Sequence, residues 1–327
     1  MPDRFDPTTV IDVAPLFEQG CDTRALDAQV VATLATEGSF VATGFAGARG
    51  NDDAAWRVLD FFKLPGDVKE AIATCRARPE NENIYRGYYP LLDKQGFAYN
   101  ETLDIGPAVP GHVPDIAGAD GFREHTPWPA REPHAGWKQE TLDYFATAHG
   151  LALAVLRAIA RHTGRDEEAM VAPCLKGNGT LRLLHYFETP DDYMPREKGT
   201  PRDYADELGR RIRTQRHIDT GVMSILWQDE NGGLQMQGRD GVWREVPAVA
   251  DGLSVHCGDL LKAMTGGLIE ATPHRVAGGG QERLSLGLFV EPDFDAMVLP
   301  PDSTTPVTYA GHLINEFPGR FERPRAA

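Results

Sequence analysis

Three stretches of this sequence carry side chains whose types and spacing suit chemistry at a metal: His217-Ile218-Asp219, His274 in a later segment, and Arg283-Leu284-Ser285. In extended backbone residues i and i+2 share a face, so a strand beginning at His217 aims His217 and Asp219 the same way. His274 falls in the strand-forming run 272–276 and completes a set of three donors. Two imidazoles and one carboxylate on one side of an ion leave its other coordination positions open, which suits a catalytic ferrous ion. An H-x-D pair alone is weak evidence among ten histidines, because a buried histidine satisfied by a neighbouring aspartate is commoner. Arg283 and Ser285 add to it. They too share a face, and a planar guanidinium helped by a hydroxyl donor is what a buried carboxylate ligand requires. The glycine turn at 278–280 is expected to fold 272–276 back on 284–290 as an antiparallel hairpin, bringing Arg283 beside His274. An edge-strand arginine paired with Glu282 or Glu291 is the structural alternative.

The elements that must hold these side chains are short. From residue 180 onward, strand-like runs at 181–187, 221–228, 234–237, 253–257, 260–264, 272–276 and 284–290 alternate with glycine-rich turns, a pattern of a β-sandwich or barrel with helices packed outside. Before them, helical periodicity covers 25–37 and 54–62, and a long helix is expected over 136–163, with Trp137, Leu142, Tyr144, Phe145, Leu151, Leu153, Val155 and Leu156 forming its apolar stripe. Residues 39–45 read as a strand closed by Gly44. The Pro-, Gly- and Asn-rich stretch 79–136 is expected to be irregular and to form part of a pocket wall. His256 and Cys257, adjacent in a strand, must face opposite ways and are read as structural, and His185 is expected to face away from Tyr186.

Composition narrows the function classes. The chain has 327 residues, 41% hydrophobic and 25% charged, which is ordinary globular composition. A net charge of −15 opposes nonspecific attraction to nucleic acid or an anionic membrane. The four cysteines form no C-x-x-C, so free buried thiols are expected. The acidic start lacks the basic and apolar regions of a signal peptide, and the apolar run 151–160 is too short to span a bilayer. A cytoplasmic protein acting on a small molecule, with neither nucleic acid nor membrane as partner, is the expectation.

His217-x-Asp219, His274 and then Arg283-x-Ser285 together resemble the signature of the Fe(II)/2-oxoglutarate-dependent dioxygenases of the isopenicillin N synthase-like superfamily. Gly258-Asp259-Leu260-Leu261, Met264-Thr265-Gly266-Gly267 and Thr272-Pro273-His274-Arg275-Val276 follow that family's order. In the N-terminal half Ile11-Asp12-Val13, Glu37-Gly38-Ser39-Phe40-Val41, Phe61-Phe62-Lys63-Leu64-Pro65, Tyr85-Arg86-Gly87-Tyr88-Tyr89-Pro90 and Glu101-Thr102-Leu103-Asp104-Ile105-Gly106 also resemble it, so the likeness runs from about residue 10 to 300. The resemblance implies a mainly β fold with flanking helices, a double-stranded β-helix or jelly roll. It implies one oxygenase domain over 1–327: a mixed α/β half at 1–165, a jelly-roll core at 180–295 and a C-terminal tail at 296–327.

Within that resemblance His217, Asp219 and His274 bind Fe(II), while Arg283 and Ser285 hold the distal carboxylate of 2-oxoglutarate, with O2 as oxidant. Tyr186 falls where many members carry a tyrosine that donates to the bound acid. Members with the plant-type pattern place Asn two residues before it, where this chain has Leu184, so a core aromatic remains open. The implied reaction is hydroxylation or desaturation of a small molecule coupled to decarboxylation of 2-oxoglutarate to succinate and CO2. Tyr85, Arg86, Phe97 and Phe289 are the substrate-facing candidates. Core packing is the alternative for Tyr85 and Phe289, and a surface charge for Arg86. Arg210, Arg211, Arg213 and Arg216 read as a solvated face, or the stretch 196–216 as a lid that attracts an acidic substrate. The competing readings are an isopenicillin N synthase-type oxidase that does not use 2-oxoglutarate, an ethylene-forming-type enzyme, and a non-catalytic jelly-roll binding protein.

Overall fold

The computed structural model describes residues 5–91, 98–188, 190, 205–301 and 303–324. Two β-sheets face each other. The larger has eight strands in the order β1 (Val10–Asp12), β2 (Ser39–Thr43), β10 (Leu253–Cys257), β7 (Met223–Gln228), β12 (Arg283–Val290), β5 (Gly179–Tyr186), β4 (Asn100–Ile105) and β3 (Gly87–Tyr89). The smaller has four: β6 (Arg211–His217), β11 (His274–Gly278), β8 (Leu234–Gln237) and β9 (Trp243–Glu245). This is the double-stranded β-helix. β2 pairs with β10 and β4 with β5, so the N-terminal half supplies strands to the same sheet rather than forming a separate layer.

Of the seven α-helices described, the first, second and fourth pack against strands of the large sheet. The seven are α1 (Arg24–Thr36), α2 (Asn51–Leu59), α3 (Gly66–Glu70), α4 (Trp137–His162), α5 (Glu167–Val171), α6 (Asp259–Met264) and α7 (Tyr309–Glu316). α4 is apolar and long enough to pass a length-and-composition test for a membrane span, but half of that window is buried inside the fold. Its Trp137, Leu151, Leu156 and Ile159 are wholly buried, and each such side chain contributes about 1.5–3 kcal/mol. Arg161 in its last turn makes a two-pronged bond to Asp27 of α1, fixing the two helices together. Three cysteines are buried as expected, while Cys21 is exposed.

Four expectations change. The run 260–264 is helix α6, because Gly258-Asp259 opens a helical turn after β10 instead of continuing it. The stretch 79–136 contains β3 and β4, whose alternation is masked by polar Asn100 and Thr102, which line a cavity, and by Asp104, which is buried under a bond to Arg182. The hairpin expected between 272–276 and 284–290 does not form. β11 pairs with β6 and β8, β12 with β5 and β7, and the glycine turn carries the chain from one sheet to the other. The basic run before His217 is no solvated face: it is β6, in which Arg213 is buried, and only Arg216 of the four arginines is exposed. Residues 196–204 of the suggested lid lie outside the described residues.

Candidate active site

His217 ends β6 and Asp219 lies in the connection to β7, so they do not share a strand as alternation suggested. The three donors nonetheless meet. His217 pairs across the small sheet with His274, their rings 4.0 Å apart, and Asp219 Oδ1 lies 3.8 Å from Nε2 of each. All three offered atoms fall within 4.8 Å of one another. A break in the β6–β11 register at this end turns Thr214 and His217, three residues apart, toward the same cavity.

Backbone carbonyls set the orientation of both rings. His217 Nδ1 donates to Gln215 O at 2.8 Å and His274 Nδ1 to Thr272 O at 3.2 Å. A carbonyl only accepts, so the hydrogen sits on Nδ1 and the lone pair on Nε2, the atom nearest Asp219. Burial first, then the neighbouring His274, pulls His217 down to about 4, and burial does the same to His274. Burial would raise the Asp219 carboxyl, yet His274, His256 and His217 hold it well below the usual carboxylate range. The set is two neutral imidazoles and one carboxylate.

The loop that carries Asp219 is clamped from two sides. Asp219 Oδ2 accepts from Ser224 Oγ at 2.5 Å and lies 3.0 Å from His256 Nε2, which leaves Oδ1 for the histidines. Behind it the first turn of α6 donates from Asp259 N to Asp219 O and from Leu260 N to Gly221 O. Gly258 is needed there: a Cβ would lie 2.3 Å from Gly221 O. His256, read from sequence as structural, thus touches a candidate ligand. Its strand face was legible, but not that the 219–221 loop would fold over it.

The cavity beside this cluster measures about 410 Å³. At one end lie Arg283, Ser285, Tyr186 and Thr214. Arg283 is buried, donates to Gly232 O and Gln228 Oε1, and stacks 5.0 Å from the Tyr186 ring. Its Nη1 makes no hydrogen bond among the described residues. Arg213, equally buried, lies 5.2 Å from the same ring and donates to Gln281 O and Phe187 O. Burial, then the charge of Arg283, brings it down to about 10. Arg283, a buried guanidinium on the cavity wall held by neutral carbonyls and with no carboxylate hydrogen-bonded to it among the described residues, makes a site for an anion, while Arg213 shares the Tyr186 ring without lining the cavity. Neither Glu282 nor Glu291 pairs with Arg283. Tyr186 OH lies 3.0 Å from Thr214 Oγ1, and Ser285 Oγ donates to Trp227 O.

Of the substrate-facing candidates, Phe289 lines the cavity. Tyr85 and Arg86 do not. Tyr85 packs against Phe122 and Phe321, and Arg86 donates to Thr180 Oγ1 and Gly179 O behind the wall, because the turn at Gly87, with φ +122°, presents Tyr89 instead. Phe97 lies outside the described residues. Sequence reading missed Arg182, whose cavity-facing place follows from counting back in twos from Tyr186, and Arg320, for which the sequence carries no comparable signal.

The sequence pattern of the 2OG-Fe(II) oxygenase superfamily matches residues 180–292. The chain is 30% identical over 308 residues to the 2-oxoglutarate-Fe(II) type oxidoreductase hxnY of Emericella nidulans, covering 89% of this chain and 82% of that one. It is 26% identical to isopenicillin N synthase of Amycolatopsis lactamdurans over 88% of this chain and 85% of that one. A full-length Neurospora crassa protein crystallised in complex with alpha-KG shares the fold, with a TM-score of 0.72 at 21% identity over 97% and 98% of the two chains. The chain belongs to the 2OG-Fe(II) oxygenase superfamily and is a non-heme iron dioxygenase, with Fe(II), 2-oxoglutarate and O2 as cofactor, co-substrate and oxidant.

Proposed function

We propose that this enzyme hydroxylates or desaturates a small molecule while decarboxylating 2-oxoglutarate to succinate and CO2, with His217, Asp219 and His274 holding Fe(II). The observation that carries the reading is the pairing of that open donor set with a buried arginine, whose Nη1 has no hydrogen-bond partner among the described residues, across one cavity. Two neutral imidazoles and one carboxylate fit a divalent ion and leave it a net positive charge that attracts an anionic co-substrate. When bound, Fe(II) supplies the activation of O2 that no side chain in the cavity provides.

The chain's own residues orient and exclude. Arg283 Nη1 takes one oxygen of the distal carboxylate, and Tyr186 packs beneath the guanidinium. Ser285 contributes a donor after its hydroxyl hydrogen swings from Trp227 O toward the acid. Leu184, Leu226, Leu234 and Val276 line the same cavity and keep water from the bound acid. The protein reads as cytoplasmic.

Succinate release tests the reading: purified protein with Fe(II), ascorbate and 2-oxoglutarate is screened across a metabolite panel. Stoichiometric succinate that depends on one added compound supports it. Turnover of a compound with O2 but without 2-oxoglutarate moves the assignment to the oxidase reading, which the isopenicillin N synthase relatives favour. Iron uptake unaffected by Asp219→Ala removes the ligand assignment.

A further inference from the structure

The cavity has a second cationic end that the co-substrate does not use. Its cavity-facing positions along β12 run Arg283, Ser285, Gly287 and Phe289, and β5 sets Tyr186 opposite Arg283 and Arg182 opposite Gly287. Four residues of strand separate these rows, about 13 Å. Ser224, which holds Asp219, pairs with Phe289, so Arg182 stands at the metal end of the cavity and Arg283 at the far end.

Asp104, wholly buried on the neighbouring strand β4 opposite Arg182, takes Arg182 Nε and Nη2 at 2.7 Å each and fixes the guanidinium against the Phe289 ring, 5.4 Å away. Nη1 has no partner among the described residues, and the side chain keeps 29% of its surface open. Arg320 is the second cation lining this side, exposed and in no ion pair among the described residues. The segment that carries it is fastened: Phe321 is buried against Tyr85 and Phe122, and Arg76 donates to Gly319 O and Arg320 O. No Asp or Glu lines the cavity among the described residues, although the chain as a whole carries −15. Apolar Phe289, Leu184 and Tyr89 line the same cavity.

From this placement we infer that the primary substrate is a small organic monocarboxylate with an apolar body. Its carboxylate is bound by Arg182 Nη1 and Arg320, and its body lies over Phe289 toward the metal donors. The inference rests on the proposed function, because saturation of the Arg283 end by 2-oxoglutarate is what reserves the Arg182 end for a second anion.

The test uses wild-type protein loaded anaerobically with Fe(II) and saturating 2-oxoglutarate. Phenyl-, naphthyl- and alkyl-monocarboxylates are titrated beside their neutral amides, and binding is read by calorimetry. At least one acid is expected to bind about ten-fold or more tightly than its amide. Arg320→Gln, at an exposed position, lowers the acid's affinity about three- to five-fold and leaves the amide's unchanged. Arg182→Lys, which keeps a charge beside Asp104 but loses the fork, lowers it about ten-fold. No acid exceeding its amide, or equal acid binding in wild type and both variants, overturns the inference alone. Wild-type protein that takes up no Fe(II) or no 2-oxoglutarate overturns the proposed function and this inference with it.

Discussion

Asp219 can bridge toward two histidines only because its other oxygen is occupied, and His256 supplies half of that hold. Its Nε2 lies 3.0 Å from Oδ2, while its Nδ1 is buried without a hydrogen-bond partner among the described residues. Replacing it by phenylalanine therefore removes one useful bond and also one orphaned nitrogen, in a ring of similar shape, so folding is expected to survive. A hydrogen bond to a charged group contributes about 1.5–3 kcal/mol. If that energy holds Oδ1 toward His217 and His274, its loss reaches the metal as a weakening of about 10- to 100-fold, the range found when partners of metal ligands are removed. The assay is anaerobic Fe(II) titration of apoprotein against a chelator, with thermal melting of the same apoprotein as the folding control. His256→Gln, which keeps an N–H donor, is expected to recover most of the affinity. Wild-type Fe(II) affinity in a folded His256→Phe protein would refute the argument, since Ser224 alone would then suffice.

Three further outcomes are expected. Arg283→Gln raises the 2-oxoglutarate concentration needed for half-maximal succinate release about 10- to 100-fold, from the loss of one charge-assisted pair. An unchanged requirement would assign the acid to Arg213 or another donor. Gly287→Ala puts a Cβ 1.9 Å from Leu226 Cδ2 in the cavity floor and costs about 1–3 kcal/mol in chemical denaturation. Adding Leu226→Ala returns part of that loss, and strictly additive effects would show that the two do not collide. His185 is bonded to Glu101 and Glu282, which raise its pKa against the opposing pull of burial. A raised folded pKa means that stabilisation is complete below the unfolded value of about 6.5 and fades as pH climbs through the folded one. The melting-temperature gap between wild type and His185→Gln is thus widest in acid and narrows above neutrality, and a constant gap would remove the linkage.

What the sequence showed and what it hid follow one division. A strand buried on both faces, such as Leu253–Cys257 between Gly252 and Gly258, announces itself by a largely apolar run bounded by glycine, and α4 by its stripe, because burial imposes residue type along the chain itself. β6 hid in the sequence: Arg211, Arg213 and Arg216 look solvated, yet Arg213 is buried, with the Gln281 and Phe187 carbonyls from other segments accepting hydrogen bonds from its guanidinium. The hairpin failed for a related reason. A glycine turn tells where the chain reverses but not which sheet receives it, and that is decided by β6 and β5 competing for partners far away in sequence. His256 and Arg182 belong to the same class. Each is an ordinary strand residue until a distant carboxylate, Asp219 or Asp104, is folded against it. Donor identity at a metal centre is therefore a local property that one chain can display. The hold on those donors, and the choice of what lies beside them, are pairings across the barrel, and only the assembled sheets disclose them.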